Sequence, residues 1–458
     1  MGVVIESDVW EPNKSLNVFL FVACFLSIYF SPFSSSNSRT NISTVFDHSL
    51  PSSLLRFQRS FLLLYSLSSV LEGLWVVFGE FELAYYGVSR ELMVSILLVG
   101  YGVSLLVSSF LGVVSDLIGP KRVCLLFYVL HLLVSIWKRF VANPSLWFAS
   151  VALSIASSIY SFSFETWVVV EHDKVMNFNS MQLGQKQDML NDMFWLMTFF
   201  ESVSFVGSQI LGNWFIGSNV EKNIASPSTA ALAIAIICII FVTRGHKEPT
   251  RTSSLDDYKQ LFSTYILHDK RIWLLSWIQT CIHFSTVAFW ILWAPLVVAD
   301  GREVVLGLIY PCFLGARMLG STAYPWVFSG PISFRADECL GYIFLIMGVL
   351  LSIIAYDYQE INILVTLFCL FHVCMGLVLP SVARLRTLCV PNGLRGGMMS
   401  LSLTPGNAAI LILFVQRSYN RLENSTIIAM AALAMFSAAV CMYMLRQMGK
   451  QRENLHTL

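Results

Sequence analysis

Twelve apolar segments, each long enough to cross a membrane, limit what this chain can fold into. They cover residues 61–86, 91–113, 122–140, 145–170, 188–217, 226–243, 271–298, 303–328, 339–356, 361–384, 395–416 and 425–446. A helix needs ~20 residues to cross the ~30 Å hydrocarbon core of a bilayer. Only 12% of the residues are charged, against about 25% in soluble domains. The sequence therefore predicts an all-α polytopic membrane protein.

A polar stretch at residues 244–270 divides the twelve segments into two sets of six. We predict a six-helix N-terminal half over 61–243, a cytoplasmic central loop over 244–270, a six-helix C-terminal half over 271–446 and a cytoplasmic tail over 447–458. Two such halves joined by one loop are typical of secondary transporters, in which one half rocks against the other around a central site.

The first 60 residues contain one shorter apolar run, residues 16–30, and a linker rich in Ser and Asn. A secretory signal peptide has a positive leader and a small-residue cleavage site, whereas this run follows an acidic leader. We predict one extra N-terminal helix that anchors the chain, followed by a cytoplasmic linker up to residue 60. A cleaved signal peptide is the alternative.

The distribution of Lys and Arg predicts the orientation. When the loop that contains Lys121 and Arg122 is placed inside, 20 Lys and Arg lie on cytoplasmic segments and 8 lie outside. Cytoplasmic loops carry the excess of positive charge, so this orientation is favoured. The adjacent pair Lys138 and Arg139, which falls outside, fits it poorly.

Ionisable side chains inside a span indicate a transport path, because a central Arg costs about 2.5–3.5 kcal/mol on insertion scales. Arg317 lies deep in span 303–328, and its rigid fork of five donors suits an oxyanion. We predict that it attracts an anion; a structural ion pair is the alternative. Glu72 is a candidate for a gating or proton-coupling acid, or for the counter-ion of Arg317.

Three more polar residues are candidates for the transport path. Glu165 ends a polar stripe on span 145–170, so that helix is predicted to line the cavity. Glu201, with Ser204 and Ser208 on adjoining turns, repeats this pattern more weakly. Of the intramembrane histidines we retain His283 as a candidate proton carrier, because other polar side chains share its helix face.

The second span and the loop after it predict an inner gate. Small residues recur every fourth position from Gly100 to Gly112, which is typical of a packing seam between membrane helices. Asp116 continues this spacing beside Lys121 and Arg122. We predict that these three residues gate the inner side by forming and releasing ion pairs; simple solvation at the membrane surface is the alternative.

Other classes of function are not indicated. The net charge of +1 provides no basic stripe for nucleic acid. The ten cysteines show no metal-ligand spacing, and the sequence contains no P-loop, nucleotide fingerprint or HExxH motif. We therefore predict no enzymatic activity, no cofactor and no metal site. The expected partners are the lipid bilayer and a small-molecule solute, with protons as a candidate coupling ion.

Several motifs resemble those of the molybdate-anion transporter family within the major facilitator superfamily. The pattern G-x-x-x-D-x-x-G-x-K-R over Gly112–Arg122 is similar to the superfamily signature. The block Phe162-Ser-Phe-Glu165-Thr-Trp167 with Glu171-His172 is similar to a more specific family block. Further blocks match in register at Arg56-Phe-Gln58, Tyr86-Gly87-Val-Ser89, Ile278-Gln279, Leu292-Trp293-Ala-Pro295, Leu319-Gly320-Ser321, Pro380-Ser381 and Leu385-Arg386.

Four positions depart from the family pattern. His283 stands in place of a Glu, Arg317 in place of a small residue and Pro120 in place of a basic residue, and the acid of the first core helix is shifted to Glu72. The resemblance implies a secondary transporter that moves a small oxyanion, molybdate, by alternating access. It also implies the plasma membrane, with an endomembrane as the alternative. Because of the departures, transport of an organic anion, sugar or peptide stays open, as does a non-transporting receptor or scaffold with the same fold.

Overall fold

The computed structural model describes residues 10–30, 52–141, 145–178, 183–217, 226–244, 255–328, 336–356, 360–420 and 422–456. Fourteen α-helices follow one another along these described residues: α1 Lys14–Tyr29, α2 Ser52–Tyr85, α3 Arg90–Ile118, α4 Pro120–Phe140, α5 Leu146–Phe178, α6 Leu183–Ile216, α7 Ser226–Arg244, α8 Leu255–Phe262, α9 Lys270–Val297, α10 Leu306–Phe328, α11 Ala336–Tyr356, α12 Ile361–Cys389, α13 Arg395–Asn420 and α14 Asn424–His456. A π-helical turn, Ser263–Leu267, follows α8, and a 3₁₀ turn, Ala299–Gly301, follows α9.

The predicted all-α membrane fold is confirmed. Six long helices, α2–α7, precede the central loop, and six more, α9–α14, follow it. Within the described residues, eleven helices are long and apolar enough to cross a membrane, and α10 is not among them. This helix contains Arg317 together with glycines and hydroxyl side chains, which lower its mean hydropathy.

The structure corrects several predicted boundaries. The linker expected up to residue 60 is already helical from Ser52, and the central loop contains α8. Helix α3 continues beyond residue 113 to Ile118, α5 continues beyond 170 to Phe178, and α14 continues beyond 446 to His456. Hydropathy marks only the part of a helix that lies in hydrocarbon, whereas the backbone hydrogen bonds continue into the polar interface.

The loop at the centre of the sequence signature is very short. Gly119 alone separates α3 from α4. Pro120, which departs from the family pattern, is the first residue of α4. A proline is well tolerated there, because its missing N–H would have no partner within the helix.

The described chain forms two compact units. One contains the described part of residues 1–44 together with Cys281–Ser381 and Val415–Leu458; the other contains the described part of 45–280 together with Val382–Phe414. In the second unit, α2 packs on α5, α6 and α7, while α4 packs on α5 and α7. The division into halves at 61–243 and 271–446 stays a prediction.

Helix α1 belongs to the first unit, where it packs along α10. Ser27 donates a hydrogen bond to the carbonyl of Thr322, and the indole of Trp326 donates one to the carbonyl of Ser27, both at 3.0 Å. The opposite face of α1 exposes Phe19 and Phe25. Helix α1 therefore covers one side of α10, the helix that carries Arg317.

Candidate functional site

Asp116, in the last turn of α3, is bound by the first turn of α13. The backbone N–H of Gly396 donates to Asp116 Oδ1 at 2.8 Å, and that of Gly397 donates to Oδ2 at 2.7 Å. The first amides of a helix have no partner inside the helix, and they carry the positive end of its dipole. The start of α13 is therefore an anion-binding site that this carboxylate fills.

Both glycines are needed for this close approach. A Cβ atom at position 396 would lie 2.8 Å from Asp116 Oδ1, and one at 397 would overlap the Tyr258 hydroxyl. The packing seam predicted on α3 reaches the same place, since a Cβ at Gly112 would overlap the hydroxyl of Ser400 on α13. The seam therefore brings two backbones together at the point where the acid binds.

A tyrosine from the central loop completes the shell around Asp116. The hydroxyl of Tyr258, on α8, donates to Asp116 Oδ2 at 3.2 Å, and its side chain is buried. Burial raises the pKa of Tyr258 well above its ordinary value, and the neighbouring carboxylate raises it further. The hydroxyl therefore keeps its proton and acts as a donor across the neutral pH range.

A second ion-pair cluster joins α5 to α12 and α13. The guanidinium of Arg386 binds both carboxylate oxygens of Glu165 through its Nε, at 2.8 Å, and its Nη2. Its Nη1 donates to the side-chain oxygen of Gln279. Arg395, fully buried, places its Nη1 3.6 Å from Glu165. One carboxylate thus lies against two arginines.

Asp116, Arg386 and Arg395 lie in the end turns of helices that the charge distribution places on the cytoplasmic side, and Glu165 and Gln279 lie further inside their helices. We call the two clusters together the inner latch, comprising Asp116, Glu165, Tyr258, Gln279, Arg386, Arg395, Gly396 and Gly397. Its bonds are ion pairs and polar hydrogen bonds, including those of Tyr258 and Gln279, so water and counter-ions can replace them when the helices separate. The inner latch can therefore stabilise one conformation reversibly.

Lys121 and Arg122 lie in the first turn of α4, beyond the inner latch. Arg122 is exposed and Lys121 is partly buried. The hydrogen bonds described for Asp116 come from two amides and a tyrosine rather than from this basic pair. Their part in gating stays a prediction.

Arg317 lies near the middle of α10 and is buried, with 7% of its surface exposed. It is an electrostatic neighbour of His372 on α12. The His372 ring stacks on Phe313 at 5.6 Å and meets Phe289 edge to face at 4.5 Å. The structure thus places the guanidinium beside an imidazole within an aromatic shell.

Glu72 is buried on α2, and the ionisable group that it faces is His131 on α4. Glu72 Oε2 and His131 Nε2 are 3.8 Å apart. Glu201, on α6, accepts a hydrogen bond from the Tyr65 hydroxyl at 3.0 Å. His283 is half-buried on α9. Of the acidic and histidine candidates, only Asp116 and Glu165 belong to the inner latch.

The inner latch contains arginines that sequence reasoning missed. In the sequence, Arg386 and Arg395 count as positive charges of a cytoplasmic segment and Arg386 belongs to one family-like block, but neither is predicted as a site residue. Both are buried. The sequence carries one signal for them: two glycines directly follow Arg395, and an amide-rich helix start beside an arginine is typical of an anion site. Among the described residues, no group of three or more His, Cys, Asp and Glu is placed to hold a metal ion.

The fold and the inner latch define the class: a multi-pass secondary transporter of the membrane. A major facilitator family model, described as sugar transporters with 12 TM segments, matches residues 33–358. This match covers more than half of the 458 residues, so the chain belongs to this family of the major facilitator superfamily.

The curated relatives that the chain resembles include molybdate-anion transporters. The molybdate-anion transporter of Xenopus tropicalis is 23% identical over 367 residues, covering 78% of each chain. That of Danio rerio is 22% identical over 390 residues, covering 75% of this chain and 76% of the relative. The resemblance drawn from the motifs is confirmed: the chain is a divergent relative of these transporters.

Solved structures agree on the fold. A bacterial homologue of the iron transporter ferroportin in an outward-facing state matches with a TM-score of 0.66 at 16% identity, covering 86% of this chain and all of that one. The Escherichia coli fucose:proton symporter matches with a TM-score of 0.63 at 13% identity, covering 86% of this chain and 99% of that one. A human organic anion transporter matches with a TM-score of 0.61 at 13% identity, covering 86% of this chain and 100% of that one. At these identities the likeness concerns the fold alone.

Proposed function

We propose that this protein moves a small oxyanion, molybdate, across the plasma membrane by alternating access, without enzymatic activity. The observation that carries the mechanism is the inner latch, in which α3 and α5 are held to α12 and α13 by Asp116 and Glu165. A transporter must close one side while the other is open, and bonds of this kind close a side reversibly. The names of the curated relatives support the substrate.

Arg317 is proposed to attract the anion. It is a buried cation at the middle of a helix that is otherwise largely apolar. An arginine presents parallel N–H donors that match tetrahedral oxyanions. His372, on the neighbouring helix, supplies a second polar group at the same depth.

The other candidate residues have proposed roles along the cycle. Glu165 acts in the inner latch rather than as a substrate ligand, because Arg386 and Arg395 already engage it. Glu201 and His283 are proposed to contact the solute path. Lys121 and Arg122 are proposed to take over as partners of Asp116 when α13 moves away. Protons are the proposed coupling ion, with Glu72 as the candidate carrier.

A second solute class has specific support. The matching family model is described as sugar transporters, and a human organic anion transporter shares the fold. A neutral sugar has no charge for the buried guanidinium to attract. Arg317 therefore favours an anionic solute over a sugar.

The test is uptake of radiolabelled molybdate into liposomes that contain the purified protein. We expect saturable uptake that tungstate and sulfate compete and that sugars leave unchanged. Arg317→Ala should abolish this uptake, while Arg417→Ala, on the half-exposed end of α13, should retain it. Unchanged uptake by a folded Arg317→Ala protein would contradict the role of Arg317, and competition by a sugar alone would favour the second class.

A further inference from the structure

Lys138, the poor fit in the predicted orientation, has a structural explanation. It forms an ion pair with Glu82, and its side chain is only 7% exposed. Its ammonium also lies 5.5 Å from the centre of the Trp75 ring. The charge of Lys138 is therefore neutralised inside the helix bundle, at the end that the topology places outside.

This ion pair lies on the wall of a cavity of about 50 Å³ within the second unit. Glu82 and Lys138 line one part of it, and His131 lines another. His131 is seven residues, about two helical turns, before Lys138 on α4. A single water needs about 10–15 Å³ of such space, so the cavity has room for several waters between the ion pair and the imidazole.

Glu72 lies behind His131, and the two form a buried titratable pair. Each residue is only 3% exposed, and Glu72 Oε2 lies 3.8 Å from His131 Nε2. Within the described part of the chain, neither of these two atoms has a hydrogen-bond partner. Buried polar atoms nearly always have one. The pair therefore has unused hydrogen-bonding capacity next to a cavity that is large enough to hold water.

The other titratable groups around Glu72 are already engaged. On α4 the hydroxyl of Tyr128 bonds to Ser68, and on α5 that of Tyr160 bonds to Ser69. On α6, Glu201 accepts from Tyr65. Helix α7 contributes the buried thiol of Cys238.

We propose that Glu72 and His131 form the proton-binding site of this transporter, entered from the outer side past the Glu82–Lys138 pair. A hydronium ion from the outer solution gives up one O–H bond in the cavity and becomes water. Its proton binds His131 Nε2 and is shared with Glu72 Oε2, so the charge of the pair rises by one and no other bond breaks. This proposal rests on the transport function proposed above and assigns its coupling ion to a site away from Arg317.

The proton site is tested without any solute. Infrared difference spectra of the full-length protein in nanodiscs are recorded across about pH 5 to 8, the range in which imidazole titrates. We expect a carboxyl signal that disappears in Glu72→Gln and moves to another pH in His131→Asn. Glu423→Gln, which removes an exposed carboxylate, should leave it in place. Spectra unchanged in both pair variants would overturn the proposal, and His131→Asn decides the question if Glu72→Gln does not fold.

A second measurement distinguishes proton coupling from the movement of molybdate itself. Glu72→Gln should retain exchange of labelled for unlabelled molybdate without a gradient, and should lose the stimulation by an acidic outer side. Equal stimulation of Glu72→Gln and the unmodified protein would overturn the proposal. If the unmodified protein exchanges no molybdate, the proposed substrate is wrong, while the infrared result still decides whether the pair binds a proton.

Discussion

At the scale of single residues, Asp116 shows how a signature motif acts. Each of its two carboxylate oxygens accepts a hydrogen bond from a different backbone amide at the start of α13, and the Tyr258 hydroxyl is a third donor. All three bonds favour the charged form of the acid, and the helix dipole adds to them. Neutralising this side chain should therefore weaken the inner latch without removing bulk.

Asp116→Asn is expected to loosen the packing of α3 against α13. A charge at a partly buried helix start is worth up to about 2 kcal/mol, so the population in which these helices separate should rise by roughly 5–30-fold. The measurement is the rate at which a thiol reagent labels Ser400→Cys, a fully buried position, in a cysteine-free background. The matched control is Asp257→Asn, an exposed acid on α8. Equal labelling of the two variants would contradict the role of Asp116.

The single residues differ in how well the sequence predicts them. Asp116 was predicted at the gate because its motif is local and lies in a recognisable loop. The partners of Glu72 and Glu165 were not predictable, because His131 and Arg386 come from distant segments whose register depends on packing. Periodicity shows which face of a helix is polar, but it does not show which other helix that face meets.

At the scale of elements, α10 is held against α12 by a backbone contact. A Cβ at Gly320 would overlap the carbonyl oxygen of Val373, and one at Gly376 would overlap that of Arg317. Glycine lets two membrane helices approach this closely. The contact fixes the helix that carries Arg317. Gly320 in the Leu319-Gly320-Ser321 block therefore has a packing role that requires no contact with the solute.

Two glycine substitutions should therefore have opposite effects on stability. Gly320→Ala must push the helices apart, at a cost of about 1–3 kcal/mol. Gly341→Ala on α11 meets open space and should stabilise by about 0.5–1 kcal/mol, since alanine is the better helix former. Thermal unfolding of the two purified variants beside the unmodified protein measures both. A Gly320→Ala protein as stable as Gly341→Ala would show that the close approach is not required.

The existence of the helices was predictable and their ends were not. Long apolar runs identified all twelve core helices, because a helix of about 20 apolar residues satisfies its own backbone hydrogen bonds within a bilayer. The central-loop helix α8 lacks such a run, so its contribution of Tyr258 to the inner latch could not be foreseen. Helix α10 was found despite Arg317, because the flanking residues are strongly apolar.

At the scale of the whole molecule, the charge distribution and the ion pairs agree. The positive excess predicted inside accompanies the inner latch. Of the pair that fits the orientation poorly, Lys138 is paired with Glu82, whereas Arg139 is exposed. The sequence predicted the class from properties summed over many residues, and the orientation stays a prediction. It did not predict the solute, which depends on a few side chains, including the departures at Glu72, His283 and Arg317.

The central claim is that transport requires the inner latch to open. Ser109 on α3 and Thr404 on α13 have hydroxyl oxygens 2.6 Å apart, close enough for cysteines to form a bond of ~2.05 Å. The decisive measurement is molybdate uptake by a Ser109→Cys, Thr404→Cys protein in a cysteine-free background, before and after reduction, beside the single Ser109→Cys control. We predict no uptake while the disulfide is intact, and recovery to the level of the control after reduction. Equal uptake by the oxidised and reduced protein would contradict the claim.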